Sequence, residues 1–505
     1  MRDQLFHLEP DGKATLQTQL RRMLVSAILA GQIPPGTPLP SCRKLAKTLS
    51  VARNTVSLAY QELVEEGFLI SRERRGYFVN EDILKGQVGA GGPRRSVAEP
   101  VATEGAGTGG PAIGGPDWTA RFRVHPSSQR NIVKPRNWQE FRYPFIYGQY
   151  DPELFPIAAW RECTRQAQSL DAIRVWAIDR FTDDDPLLID QIRTRLLPRR
   201  GVLAAPDEIL VTVGAQHALY LLGSLLVDGT TTVGVENPGY ADARNIFALK
   251  TKRGVALEVD GDGLMVGPAL DACDYVYTTP SHQFPTTATL SLERRRALLE
   301  RAAQADFVII EDDYESEINH VGMPSPALKS LDHAGRVVFV ASLSKTLAPG
   351  LRLGYMVGSK ALIAEARALR RLMLRHPPAN NQRTIALFLA RGHHDSLVRR
   401  LSHAYRDRWA AMREALQRHL PDCSFRPTSG GTAYWIEGPP GLDCGRLERE
   451  AAAAGILIEP GAIHFAGPDA PRNFFRLGFS SIPVDRIEPG LRELGEIIHR
   501  QLGKR

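Results

Sequence analysis

Residues 340–355 read VASLSKTLAPGLRLGY, and the fold turns on how this stretch is understood. The apolar run Val337 to Val340 reads as a strand that delivers Ser342, Ser344 and Lys345 to a loop. Pro349 and Gly350 turn the chain, and Arg352 follows the lysine by seven residues, ahead of Gly354 and Tyr355. One lysine on a loop thus has hydroxyls on one side and a guanidinium on the other. An amine that must bond a carbonyl carbon needs burial or a cationic neighbour to lower its pKa. The two serine hydroxyls and the two-pronged Arg352 suit a phosphate.

A Schiff-base lysine beside a phosphate clamp is the arrangement that pyridoxal 5'-phosphate requires. The stretch resembles the cofactor-lysine motif of fold-type I aminotransferases, S-x-S-K-x-x-x-x-G-x-R-x-G-Y with small spacing variations. SKTLAPGLRLGY is more closely similar to the MocR-type regulators, which join a GntR-like winged helix to an aminotransferase-like domain. The resemblance implies an α/β protein: an N-terminal winged helix-turn-helix, a fold-type I transferase domain with a mostly parallel sheet, and a small C-terminal α+β subdomain.

The chain's 505 residues exceed one ordinary core and suggest two or three domains. Its net charge of +7 allows nucleic-acid binding without demanding it. Residues 1–80 carry eleven Lys/Arg against seven Asp/Glu, so +4 of that charge sits in a sixth of the chain. The five cysteines are scattered with no C-x-x-C spacing, which fits reduced thiols, no disulfide frame and no metal site. The start, MRDQLFHLEPDG, has no apolar core, so no signal peptide is expected. No apolar run is long enough for a membrane span, and a cytoplasmic protein is expected.

Apolar residues at Leu16, Leu20, Met23, Leu24, Ala27 and Ile28 predict a helix ended by Gly31. Ser41 opens a second helix through Leu45 and Leu49, and Arg53-Asn54-Thr55 open a third that Gly67 ends. Phe68–Ile70 and Tyr77–Val79 alternate as a hairpin, with Arg72, Arg74 and Arg75 at its tip. Three helices and a basic-tipped hairpin make a winged helix-turn-helix. The third helix would enter a major groove of double-stranded operator DNA by its N-terminus, with Arg53, Asn54 and Thr55 as base readers. Ser41, Arg43 and Lys44 suit phosphates, and Arg74 the minor groove or backbone. GQIPPGTPLPSCRKLAKTLSVARNTVSLAYQELVEEGFL is similar to the GntR family almost end to end; Ala52 stands where that family usually has serine. Residues 1–80 are therefore expected to be the DNA-binding domain.

From Gly86 to about Gly115 the chain is rich in Gly, Ala and Pro and holds almost no large apolar residue. Residues 81–135 read as a flexible linker, and 136–505 as the aminotransferase-like domain.

In that domain RYPFIYGQYDPELFPIAAW (142–160) resembles the opening segment of the MocR aminotransferase-like domain. FTDDDP (181–186) stands where relatives have Y-G-x-x-x-G ahead of L-R, and the tyrosine, both glycines and the Leu-Arg pair are missing. In aminotransferases that tyrosine reaches the phosphate in the partner's site. ILVTVGAQHALYLL (209–222) reads strand, glycine turn, helix, and the backbone N–H groups around Ala215 and Gln216 suit a phosphate. The resemblance makes Tyr240, in VGVENPGY, the aromatic that stacks on the cofactor ring. TTPSHQFP (278–285) lacks the asparagine that in aminotransferases bonds the phenolic oxygen, which leaves His282 or Gln283 as substitutes. FVIIEDDYESE (307–317) is an apolar strand ending in carboxylates, the mark of a central strand with chemistry at its C-terminal end. The resemblance puts the pyridine-nitrogen role on Asp312 and the phenolic-oxygen contact on Tyr314. Arg476, inside the apolar FFRLGFS, needs an anionic partner, and the resemblance makes that a ligand's α-carboxylate.

These readings imply a pyridoxal-phosphate-dependent transcription regulator in which Lys345 carries the cofactor, and the fold-type I resemblance implies a homodimer. An amino acid or amine effector, or the cofactor itself, would be sensed. The alternatives are a working aminotransferase and a cofactor-free DNA-binding repressor.

Overall fold

The computed structural model describes residues 14–82, 116–321, 325–426 and 429–503. They fall into two units, one within residues 1–115 and one spanning 116–505. In the small unit, helices α1 (Leu16–Leu29), α2 (Cys42–Leu49) and α3 (Arg53–Glu65) precede a hairpin of β1 (Leu69–Arg72) and β2 (Gly76–Val79). Leu20, Leu24, Ile28, Leu45, Val56, Tyr60 and Leu63 meet in one core, closed by Leu69 and Val79 from the hairpin. The segment before α2 joins the wing: Leu39 N donates to Tyr77 O at 2.9 Å, and the Tyr60 hydroxyl donates to Pro40 O. The unit is the expected winged helix-turn-helix.

The large unit is built on an eight-stranded sheet. In chain order its strands are β3 (Ile209–Thr212), β4 (Thr232–Asn237), β5 (Arg253–Asp260), β6 (Gly263–Leu264), β7 (Tyr275–Thr278), β8 (Val308–Asp313), β9 (Val337–Ser342) and β10 (Gly354–Val357). The spatial order is β3-β10-β9-β8-β7-β4-β5-β6. The run from β9 to β5 is parallel, while β10 is antiparallel to both neighbours and β6 to β5. Helices 215–226, 241–248 and 360–374 bury apolar residues against the sheet, and 292–305 covers another part of it. Parallel strands feeding right-handed crossovers demand cover on both faces, which explains the runs FVII and VVFV.

After residue 360 the chain is helical through 360–374, 379–390 and 393–419. A four-stranded antiparallel sheet follows, in the order 424–425, 433–437, 474–478, 459–460. It carries Arg476 and Glu459 in register as neighbours.

The segment read as linker, 81–135, lies outside the described residues over 83–115. Its later part, from residue 116, is described. Gln129 Nε2 donates to Asn245 O at 3.0 Å, and Lys134 Nζ donates to Tyr147 O at 2.5 Å, so residues 129–134 lie on the large unit.

FTDDDP also has a definite place. Asp184 is buried with Arg370 (2.6 Å) and Arg367 (2.8 Å) on its two oxygens, and it accepts from Val211 N. Asp185 caps the helix 186–191, and Phe181 lies under the guanidinium groups of Arg371 and Arg375. Within the described chain, the segment where relatives carry a tyrosine for the partner's site is an internal ion-pair anchor for β3.

Candidate functional site

At the C-terminal ends of the parallel strands lies a cavity of about 230 Å³. Ala215, Gln216, Tyr240, Asp312, Tyr314, Ser342, Ser344, Lys345 and Arg352 all line it, although they come from four separate stretches of chain. Crossover connections bring these ends together, as is general for open α/β sheets.

The lysine loop enters from β9 and leaves through β10. Gly354, the first residue of β10, allows the closeness: a Cβ there would stand 2.7 Å from the carbonyl carbon of Gly214. Gly214, at φ 78°, turns β3 into helix 215–226 and aims that helix's first N–H groups at the cavity. Arg352 sits against the same turn and donates to Val213 O at 3.3 Å. Ser344 N donates to Ser342 Oγ at 3.2 Å, and the Ser344 hydroxyl is buried without a partner among the described residues. The wall of helix N-terminus, hydroxyls and guanidinium is a phosphate site by composition.

Lys345 is half-buried, and the surface it keeps faces the cavity. Enclosure pushes its ammonium down to about 7, and Lys134 adds to the fall. Its Nζ lies 4.2 Å from the ring centroid of Tyr147.

Three consecutive carboxylates end β8, and their surroundings separate them. Glu311 accepts from the backbone N–H groups of Leu328 and Lys329. Asp313 pairs with buried Arg200 at 2.7 Å and accepts from Ser281 Oγ. Asp312, on the opposite face of the strand, lines the cavity. Its Oδ2 accepts from the Tyr277 hydroxyl at 2.9 Å and its Oδ1 is buried without a partner among the described residues. Burial raises its carboxyl to about 7, against the pull of the Tyr277 hydrogen bond. The Tyr314 hydroxyl is likewise buried and unpartnered.

Neither His282 nor Gln283 lines the cavity. Gln283 Nε2 is spent on Pro238 O, Phe284 O and Glu236, and His282 is a buried ring that burial holds down at about 4. Thr279 and Phe284 face the cavity from that loop instead. The Thr279 hydroxyl donates to Glu236, a buried carboxylate at the end of β4 that accepts from four side-chain and backbone groups of the loop. Tyr240 meets Phe284 edge-on at 5.2 Å, and its hydroxyl donates to Asp242.

Arg476 is fully buried, and none of its three guanidinium nitrogens has a hydrogen-bond partner among the described residues. Its guanidinium carbon lies 3.4 Å from the ring centroid of Tyr147 and 4.2 Å from that of Phe284. Glu459 Oε1 stands 3.7 Å away and also accepts from His464 Nε2 at 3.0 Å. Burial alone would raise Glu459, but His464 and Arg476 outweigh it and hold the carboxylate down at about 2.

Sequence reasoning missed Tyr147, Glu459 and Lys134. The first two sit in apolar or turn-rich stretches with no periodic signal, and the third lies in a segment read as linker.

In the small unit, Ser41 caps α2, its Oγ accepting from Lys44 N at 3.3 Å, and Arg43 and Lys44 are exposed. Arg53 and Asn54 are exposed in the first turn of α3, and Thr55 is half-buried. Ala52 caps α3 without any side-chain hydrogen bond. Arg74 is exposed in the hairpin turn at φ 58°.

Residues 16–79 match the family described as bacterial regulatory proteins, gntR family, and residues 181–494 match aminotransferase class I and II. The HTH-type transcriptional regulator TauR of Rhodobacter capsulatus is 42% identical over 98% of both chains. The probable rhizopine catabolism regulatory protein MocR of Rhizobium meliloti is 28% identical over 96% of this chain and 94% of its own. Among solved structures, a Pyrococcus horikoshii kynurenine aminotransferase superposes with a TM-score of 0.69 at 26% identity, covering 76% of this chain and 98% of that one.

Proposed function

This chain belongs to the MocR-type transcriptional regulators, and from that premise we propose that its large unit holds pyridoxal 5'-phosphate and senses an amino acid or amine. The carrying observation is one cavity that gathers an amine titrating near 7 with polar atoms left unpartnered among the described residues. Those atoms are Asp312 Oδ1, Tyr314 OH and Ser344 Oγ; Arg476 does not line the cavity but packs, with its nitrogens unpartnered among the described residues, on the Tyr147 and Phe284 rings that do. Buried polar groups without partners are costly, so a ligand that supplies them is the natural account.

The residues fit the cofactor. Lys345 would bond its aldehyde carbon. Ser342, Ser344, Arg352 and the N–H groups of Ala215 and Gln216 would hold the phosphate. Asp312 would face the pyridine nitrogen, Tyr314 the phenolic oxygen, and Tyr240 the ring. Bound there, pyridoxal phosphate supplies an aldehyde that exchanges amines and a ring that withdraws electrons. Lys345 titrates near neutrality, so a large share of it is the free base that such exchange needs. Asp312 would hold a proton at the ring nitrogen once that cation neighbours it. Arg476 would orient the effector's carboxylate.

The winged helix binds DNA, with Arg53, Asn54 and Thr55 reading bases, Ser41, Arg43 and Lys44 on phosphates, and Arg74 at the wing. Two such heads in a homodimer, in the cytoplasm, would read an operator whose half-sites are spaced by the dimer. Domain limits of 1–80 and 136–505 accompany this reading.

The test has two arms. The purified full chain is expected to take up pyridoxal phosphate and show a visible band that shifts with one amino acid of a panel. A chain lacking residues 1–80 is expected to keep the band and lose binding to DNA selected by the full chain from a random pool. No band after adding cofactor, or retained DNA binding after truncation, would overturn the respective assignment. Steady conversion of an amino acid and a 2-oxo acid would move the reading from sensing to transamination.

A further inference from the structure

Residues 129–134 enter the wall of the cavity at the start of the large unit. Asn245 grips them: its Nδ2 donates to Arg130 O and Asn131 Oδ1, both at 2.9 Å, and its carbonyl accepts from Gln129. Ile132 and Lys134 then face the cavity itself. Toward lower numbers the same chain leads, through residues 83–115, to the DNA-binding unit.

Three basic side chains surround one phenol ring at the end of this segment. The Arg476 guanidinium carbon, Lys345 Nζ and Lys134 Nζ lie 3.4, 4.2 and 5.5 Å from the Tyr147 ring centroid. Gly148 leaves room for the two amines: a Cβ there would stand 2.6 Å from Lys345 Nζ and 3.1 Å from Lys134 Nζ. Lys134 spends one of its three donors on the Tyr147 carbonyl. Among the described residues Glu459 is the carboxylate within ion-pair reach of Arg476, and it lines the cavity and also attracts Lys134. Lys345 is committed to the cofactor on the reading above, which leaves Lys134 as the amine on the cavity wall, with the unpartnered Arg476 guanidinium packed on the Tyr147 and Phe284 rings beside it.

We propose that Lys134 is a specificity-determining residue that shares the effector's carboxylate with Arg476, and that the strap 129–134 thereby carries effector occupancy toward the tether. The proposal rests on the reading of the cavity as a cofactor and amino-acid site. An anion seated against Lys134 favours the docked strap over an undocked one, and that differential affinity is what links ligand to the DNA-binding end. A lysine that only braced the Tyr147 carbonyl would serve an amine with and without a carboxylate alike.

The experiment uses the full chain loaded with pyridoxal phosphate, titrated with L-alanine and with ethylamine, its counterpart without a carboxylate, while the visible band is followed. The ratio of the two half-saturation concentrations is expected to favour L-alanine in the wild type. In Lys134→Gln that preference should fall by about tenfold or more, and Lys134→Arg should recover part of it. Hydrogen exchange on the same samples should show amides of residues 129–134 protected by L-alanine in the wild type and not in Lys134→Gln. A ratio unchanged by Lys134→Gln, strap amides indifferent to L-alanine, or a band that neither amine shifts would each overturn the proposal. Absence of the band in the wild type would overturn the cofactor reading beneath it, so the two failures are read separately.

Discussion

Arg476 and Glu459 stand 3.7 Å apart, close enough to attract and too far to share a hydrogen bond. The pair is inside the protein, where a lone guanidinium would be costly, so Glu459 compensates Arg476 while leaving its nitrogens free. A ligand carboxylate arriving at Arg476 meets this resident negative charge.

Glu459→Gln tests that opposition. The amide oxygen can still accept from His464, but the charge is gone. The half-saturation concentration for L-alanine is expected to fall by about fivefold in band-shift titrations. Weaker binding would mean that the charge of Glu459 positions Arg476 rather than competing for it.

The lowered value of Lys345 sets a pH profile. An ordinary lysine amine is freed near 10.5, whereas this one is freed near 7. The rate at which the apo protein captures pyridoxal phosphate should therefore rise from pH 6 to pH 8 and level off, followed by rapid-mixing absorbance. A rate still climbing at pH 9 would show that the cavity does not strip water from this ammonium.

Asp312→Asn should act in opposite directions on the apo and loaded protein. In the unfolded chain this carboxyl loses its proton near 3.8, while in the folded chain it keeps it to about 7. Stability that depends on this group is thus lost as pH rises between those values. At pH 8 the asparagine variant without cofactor should be more stable by about 1–3 kcal/mol, and its affinity for cofactor should drop more than tenfold. Melting curves with and without pyridoxal phosphate read both effects.

Ala52→Ser supplies the missing side-chain cap on α3. The small unit should gain about 1 kcal/mol, seen as a higher transition for that unit in calorimetry of the full chain. No gain would show that the first N–H groups of α3 already have partners.

Much of this was open to reading in the sequence, for physical reasons. The strands were legible because a buried parallel strand must be apolar throughout, as in VVFV and FVII. The helices of the winged unit were legible from their spacing and from Ser41. Which of Glu311, Asp312 and Asp313 faces the cavity depends on which face of β8 is up, and there the resemblance to a family supplied the choice. Lys134 was beyond reach, because NIVKPRNW carries no periodicity and its place is fixed by Asn245 over a hundred residues away. Asp184 was likewise opaque: its partners Arg367 and Arg370 lie on a helix that the sequence does not connect to it.

Tyr147 gives the cavity a property that no carboxylate would. Glu459 already answers part of the charge of Lys134, Lys345 and Arg476, and a second acid in the place of Tyr147 would neutralise the rest. A phenol ring steadies cations through its electron-rich face while carrying no charge of its own. The ring acts as a placeholder: it lets basic groups be stored side by side, and it leaves the attraction that Glu459 does not answer for the molecule that comes to be recognised.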